Sequence, residues 1–349
     1  SLMTSVALND CAPYREVITH GFVVDKDGKK ISKSAEYKKP THAEHFVNQY
    51  GADILRLWVA TVNYTDEVPF GEDVFKQVAE RYRGFRNIQR ILLANLFDFA
   101  PANASLDGAT AIDRWVLSRL REVTAKCRAA YEAYEFRAVF EALNQFCTVD
   151  LSALYIDITK DRLYCDAIDS PRRRATQTVM HACFDSITRL LAPILVFTAE
   201  EAWDYFKPGS SIHLEQFPEV NAELDNEEVR QTGKRWLEWR GRISQAVEQA
   251  QKNGEIANPL EARVRVRVKD AAEAELLQSR VAELEEFWIL SHLEIVPGDE
   301  DSVEVAKTSQ VKCERCWRHR PDVGANAEHP TLCGRCAEAV LSRVLTAAS

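Results

Sequence analysis

Between Glu72 and Phe206 apolar residues return every three or four positions, the period of helices that each bury one face. The segment from Glu72 to Phe99 carries Val78, Tyr82, Phe85, Gln89 and Leu92 on one stripe, with Gln89 the polar exception. A second helix uses Ile112, Trp115, Val116, Leu120 and Val123. A third stripe, Phe136, Phe140, Leu143, Cys147, Leu151, Leu154 and Ile158, predicts about six uninterrupted turns. Ser170-Pro171 opens another helix, with proline in its first turn, and Pro193 stops it after Leu191. Thr198-Ala199-Glu200-Glu201 then reads as the cap of a helix that carries Trp203 and Phe206. Long amphipathic helices with short connections hide their stripes by packing as a bundle. The expected fold class is therefore mainly α.

The flanks differ. Val17 to Val24 reads as a strand feeding a turn at Asp27-Gly28. Thr41, with Glu44 three residues on, predicts the start of a helix that Gly51 interrupts, and Ala52 to Val62 continues as a second. Gly209 to Asn226 has the composition of a connection, and Glu227 to Lys252 is again helical, with Val229, Trp236, Ile243 and Val247 on one side. Ala262, Val264, Val266 and Val268 alternate with Arg263, Arg265 and Arg267, so a strand with one apolar and one arginine face is predicted. A helix near 271–286 and short strands at 293–296 and 303–306 complete a small α+β unit. The expected divisions are 1–70, 71–225, 226–306 and 307–349.

The most specific spacing lies near the end: Cys313-Glu314-Arg315-Cys316, sixteen residues, then Cys333-Gly334-Arg335-Cys336. Two such knuckles supply four thiolates, which zinc takes in a closed tetrahedron at ~2.3 Å. With no open position the ion is structural, holding together a segment too small for its own core. His319 and His329 are possible substitutes, but four cysteines already fill the sphere. A redox Cys-x2-Cys pair would need a thioredoxin-like context that is missing here. Cys127, Cys147, Cys165 and Cys183 fit helical stripes or their edges and read as small hydrophobes. No secretory signal opens the sequence, so reduced thiols and a cytoplasmic location are expected.

A net charge of -9 argues against a general nucleic-acid coat, yet the charge is uneven. Asp25 to Lys39 holds six lysines against three acids, Arg81 to Arg90 four arginines and no acid, and Lys307 to Ser349 seven basic residues against four acids. Arg83, Arg86 and Arg90 share one helix face, where they are candidates to grip a phosphate backbone. Arg172, Arg173 and Arg174 stand at a helix start, a place that favours anions. The longest apolar run, Leu190 to Phe197, is far too short to cross a bilayer, so no membrane partner is expected.

Lys29-Lys30-Ile31-Ser32-Lys33-Ser34 gathers three ammoniums and two hydroxyls around one apolar residue. Such a loop can close over a polyphosphate. Lys30-Ile31-Ser32-Lys33-Ser34 resembles the Lys-Met-Ser-Lys-Ser signature of class I aminoacyl-tRNA synthetases, with Ile31 in the methionine place. The flanks His20-Gly21-Phe22-Val23-Val24-Asp25 and Gly51-Ala52-Asp53-Ile54-Leu55-Arg56-Leu57-Trp58 resemble those of the isoleucyl, valyl and leucyl enzymes. Glu36-Tyr37 departs from the Gly-Asn that usually follows the signature.

The cysteine tail is similar to that of bacterial-type isoleucyl-tRNA synthetases, and on spacing alone to that of formamidopyrimidine-type DNA glycosylases. The loop and the helical bundle upstream favour the synthetase. That resemblance implies a helical anticodon-binding domain after a short remnant of the α/β catalytic region, then the α+β unit and the zinc tail. It implies ATP as substrate with Mg2+, isoleucine and tRNA(Ile) as partners, and a monomer. Lys30 and Lys33 would act on the ATP phosphates, beside Ile31, Ser32 and Ser34. The chain is then expected to be a C-terminal piece of a larger enzyme, inactive by itself. A valyl or leucyl enzyme, or a tRNA-binding module without catalysis, remain the alternatives.

Overall fold

The computed structural model describes residues 1–25, 28, 30 and 42–347, the last five of these as backbone only. It begins with a helix, α1 (Leu2–Asn9), none of whose residues is buried. The predicted strand shrinks to β1 (Val23–Val24), which pairs in parallel with β2 (Val68–Pro69). Gly21 meets the carbonyl of Asp66 so closely that a Cβ would lie 1.8 Å from it, so only glycine fits there. Between the strands lie α2 (Ala43–Tyr50) and α3 (Ala52–Thr61). His42 holds the N-cap position of α2 without a side-chain cap, and the expected cap Thr41 lies outside the described residues.

The body is built from α4 (Glu72–Ala94), α5 (Ala111–Glu132), α6 (Phe136–Gln145), α7 (Asp157–Cys165), α8 (Pro171–Leu191) and α9 (Val196–Phe206). Their predicted stripes face inward: Phe85, Leu92, Val116, Leu143, Leu151 and Ile158 are all buried. The third stripe is not one α-helix. A π-helical stretch, Phe146–Ile156, joins α6 to α7, and Cys147, Leu151 and Leu154 stay buried through it. The start of α9 also differs from expectation. Thr198 is not its N-cap; its amide and hydroxyl bond instead to the carboxylate of Asp53 on α3, at 2.7 and 2.6 Å. Arg56 of the same helix donates to the carbonyls of Pro193 and Ile194, at 2.6 and 3.0 Å. Two side chains of α3 thus satisfy backbone groups between α8 and α9 and tie α3 to the bundle.

The α10 helix (Glu227–Lys252) lies along α5, where Gly233 admits the Trp115 indole; a Cβ would sit 2.2 Å from that ring. β3 (Ala262–Val268) is the centre of a three-stranded sheet, and its four apolar residues are fully buried. Two helices rather than the single predicted one, α11 (Ala271–Gln278) and α12 (Val281–Phe287), lead to the parallel neighbour β4 (His292–Pro297). β5 (Ser302–Lys307) pairs on the other edge, antiparallel. The arginine face of β3 is matched by Glu294 and Glu304 on these neighbours. The tail adds the small hairpin β6 (Val311–Lys312) and β7 (His319–Arg320), and ends in α13 (Gly334–Ala347).

One buried charge cluster joins bundle to sheet. Arg162 of α7 is 1% exposed and reaches Asp113 of α5 at 2.6 Å and Glu286 of α12 at 2.5 and 2.8 Å. Thr110 and Tyr155 complete the network, the phenol donating to Asp113 at 2.7 Å. Each charge has its counter-charge and its hydrogen bonds, the condition for keeping ions in a dry interior.

Candidate nucleic-acid interface and metal centre

Of the lysine loop, Lys30 is described: it bridges to Val24, and its ammonium lies 3.7 Å from the centroid of the Phe22 ring. Ile31, Ser32, Lys33 and Ser34 lie outside the described residues. The root of the loop is fixed by β1, since Val68 and Phe70 donate to the carbonyls of Phe22 and Val24 at 2.8 and 2.9 Å.

The two arginine clusters fare differently. Arg83 and Arg86 are exposed on α4, Arg83 beside Glu80 and Arg86 in a two-pronged pair with Glu201 of α9 at 2.5 and 2.8 Å. Arg90 is exposed and has no carboxylate partner among the described residues. Arg86 and Arg90 share a cleft of about 500 Å³ with Tyr205, whose ring is 77% exposed. Arg172, Arg173 and Arg174 instead turn into the protein. Arg172 grips Asp166 at 2.9–3.0 Å. Arg173 is buried on Asp98 at 2.7 and 3.0 Å, and Arg174 donates to the Asp98 carbonyl at 2.7 Å. Their place at a helix start suggested a phosphate site; internal carboxylates occupy them.

The tail arginines are also used internally, which the basic count of that segment did not reveal. Arg335 reaches Asp161 in the middle of α7 at 2.7 and 2.9 Å, and Asp166, just past its end, at 3.2 Å. Arg318 donates to the Leu290 carbonyl at 2.5 Å, and Arg315 to the carbonyls of Tyr164, at 3.0 Å, and Cys165. Burial alone would raise the Asp161 carboxyl; Arg335, Arg318 and Arg172 outweigh it and hold the group below the usual carboxylate range. The tail is thereby clamped onto the bundle.

Inside the tail the two knuckles converge. The sulfurs of Cys313, Cys316, Cys333 and Cys336 all lie within 4.8 Å of one another, and Cys316 and Cys333 are 3.9 Å apart. A zinc–sulfur bond of ~2.3 Å in a tetrahedron requires sulfurs about 3.8 Å apart, so the donor set fits the ion with little movement. The Cys333 amide donates to Cys313 Sγ at 3.3 Å, support that steadies a coordinated sulfur. Trp317 follows the first knuckle in the left-handed conformation, φ 64°, and its indole is 62% exposed. It lines a cleft of about 600 Å³ with Tyr164, Lys160, Arg240 and Arg315. Tyr164 is 61% exposed. The sequence alone does not mark either ring as an exposed face, because exposure depends on which distant elements pack beside it.

Residues 113–266 match the anticodon-binding domain of tRNA ligases, residues 1–71 the class I tRNA synthetases of the I, L, M and V group, and residues 312–339 a zinc finger found in FPG and IleRS. A leucyl enzyme of Agrobacterium radiobacter K84, solved in ternary complex with tRNA and LeuAMS, superposes with a TM-score of 0.51 at 19% identity. It covers 82% of this chain and 32% of that one, a likeness of fold. The isoleucine–tRNA ligase of Geobacter sulfurreducens is 42% identical over 97% of this chain, and that of Methylacidiphilum infernorum 42% over 96%. The chain spans 37–38% of the length of these relatives. Helical body, loop flank and knuckled tail define a class I tRNA synthetase. Within that class the chain belongs to the isoleucyl-tRNA synthetases, and it carries one structural zinc site. The zinc-finger family is shared with FPG proteins, and the other two matches favour the synthetase over the glycosylase.

Proposed function

We propose that this chain is the tRNA-holding part of an isoleucyl-tRNA synthetase, together with the lysine loop that closes on ATP. In the parent enzyme isoleucine and ATP form an adenylate, with Mg2+ on the phosphates, and the acyl group then passes to tRNA(Ile). Lys33 contacts the phosphates as negative charge moves onto the departing pyrophosphate, Lys30 assists, and Ser32 and Ser34 donate hydroxyl hydrogen bonds. Ile31 seats the closed loop. Cys313, Cys316, Cys333 and Cys336 hold the zinc, which keeps the tail folded against α7. Arg83, Arg86 and Arg90 face the tRNA backbone, while Tyr205, Tyr164 and Trp317 offer exposed faces to unpaired bases. The protein works as a monomer in the cytoplasm; no described helix is long and apolar enough to cross a membrane.

The observation that carries this reading is the 42% identity to an isoleucine–tRNA ligase across 97% of the chain. Binding to a panel of purified tRNAs, with zinc assayed on the same sample, tests it. Preference for tRNA(Ile) with one zinc per chain is expected; equal affinity for every tRNA would refute the assignment to isoleucine.

A further inference from the structure

Gln89 interrupts an otherwise apolar stripe of α4 and is 2% exposed. Its amide nitrogen donates to the Thr188 hydroxyl of α8 at 3.2 Å, and its carbonyl oxygen has no partner among the described residues. An unanswered buried acceptor is destabilising, and a leucine would complete the stripe without that cost. Packing alone therefore does not explain a glutamine at this position. The same residue lines the cleft of about 500 Å³ between α4 and α9. Leu93, Ala94 and Ala202 give the cleft an apolar wall, and Tyr205 stands beside it, 77% exposed. Two guanidiniums complete the lining. Arg86 is held by Glu201 through two hydrogen bonds, which neutralises that carboxylate. Arg90 has no carboxylate partner among the described residues. A flat ring, an apolar wall, an unpaired cation and a buried acceptor match the parts of one nucleotide: base face, base edge and phosphate. Acidic side chains would answer Arg90 but present no flat face to Tyr205.

We propose that this cleft takes one unpaired nucleotide of the bound tRNA, with Gln89 as the residue that reads its base. The inference rests on the tRNA-binding reading above and assigns a site within it. The base stacks on Tyr205, an N–H of its edge donates to the Gln89 carbonyl, and its phosphate lies against Arg90. The carbonyl is covered by its neighbours, so seating the base requires the Gln89 side chain to turn. Its 3.2 Å bond to Thr188 is at the long limit for such bonds and restrains that turn weakly. Stacking accepts any base, so selectivity falls to the amide. The site favours a base whose seated edge presents an N–H and disfavours one that leaves the carbonyl unpaired.

The test uses the full chain and purified tRNA(Ile), read by crosslinking, affinity and Tm. A benzophenone amino acid placed at position 205 and irradiated in the complex is expected to crosslink one unpaired nucleotide. Removing the base of that nucleotide should weaken binding about 10-fold, the effect of one stacked base, and should add little in Tyr205→Ala, which lacks the platform. Tyr205 is exposed, so Tyr205→Ala should keep the Tm of the unsubstituted chain. Gln89→Leu is expected to match or exceed that Tm, because it completes the stripe, and to lose the preference among the four bases at the crosslinked position. No crosslink, crosslinks scattered over paired nucleotides, or a base removal that costs Tyr205→Ala as much as the unsubstituted chain overturns the site. A base preference that survives in Gln89→Leu overturns the assignment to Gln89 and leaves the amide a core residue bonded to Thr188. Should Gln89→Leu fail to fold, the Tyr205→Ala comparison still decides the site. Absence of tRNA binding by the unsubstituted chain would instead refute the reading of its function, a separate result.

Discussion

Arg173 and Asp98 stand 75 residues apart and hold each other through two hydrogen bonds inside the protein. Arg173 is 3% exposed, so removing its counter-charge would strand a buried cation. Asp98→Asn is expected to cost about 3 kcal/mol at pH 7, read as a lower Tm. Burial pushes the Asp98 carboxyl up, but Arg173, Gln177 and Arg174 together hold it below its ordinary range. A carboxylate with a depressed folded pKa contributes stability that is complete above about pH 4 and is lost as pH falls through the lower folded value. The gap between the two proteins should therefore be full at pH 7 and close in acid; a gap unchanged down to pH 2 refutes the ion-pair account. Arg90 gives the contrasting case. Exposed and unpaired among the described residues, it should tolerate Arg90→Ala with no change in Tm. tRNA binding should weaken for every sequence, with the salt dependence shallower by about one unit of slope. An unchanged slope removes Arg90 from the interface. Nothing in the run Arg172-Arg173-Arg174 distinguishes it from the stripe on α4, because the carboxylates that occupy it come from elsewhere in the chain.

At the scale of elements, what the sequence made legible was what lies close in the chain. The apolar stripes placed the helices, period two placed β3, and the knuckle spacing placed the metal ligands. What stayed hidden comes from distant partners. The end of the third stripe is π-helical although its apolar residues keep a helical period, since burial of Cys147, Leu151 and Leu154 is compatible with either hydrogen-bond register. The start of α9 is set by Asp53, 145 residues from Thr198. The tail shows both sides: its ligands were legible and its docking was not. Its own buried cluster consists of cysteines, with Val323 and Leu332 partly covering it, and that is too little apolar surface to fold alone. Structural zinc contributes about 10–16 kcal/mol in such modules, more than most domains have in hand. Chelating the zinc is therefore expected to unfold residues 311–342 while the bundle stays helical. Hydrogen exchange would show lost protection across the tail while the amides of α7 stay protected; a tail equally protected without metal would refute this role for the ion.

For the whole molecule the proposed function gives the two ends separate tasks. The helical body, the sheet unit and the zinc tail are one connected structure, joined by the Arg162 network and by the tail arginines on α7, and their exposed basic and aromatic residues suit RNA. The lysine loop is rooted at β1, at the other end of the sequence, and in the proposed function it acts on ATP bound by the parent enzyme. Binding and activation should then come apart. The chain as given is expected to bind tRNA with affinity that falls steeply with salt, as phosphate contacts require, and to form no adenylate. In the parent enzyme Lys33→Ala should lower isoleucine-dependent pyrophosphate exchange by ~10²-fold or more, the size of effect expected for one preorganised donor aimed at developing charge. Affinity for tRNA should not move, because the body that holds the tRNA is built without that loop. Wild-type exchange in Lys33→Ala would take the loop out of the chemistry. A parallel loss of tRNA affinity would mean instead that the loop and the helical body work as one site, and the division of labour argued from the fold would fail.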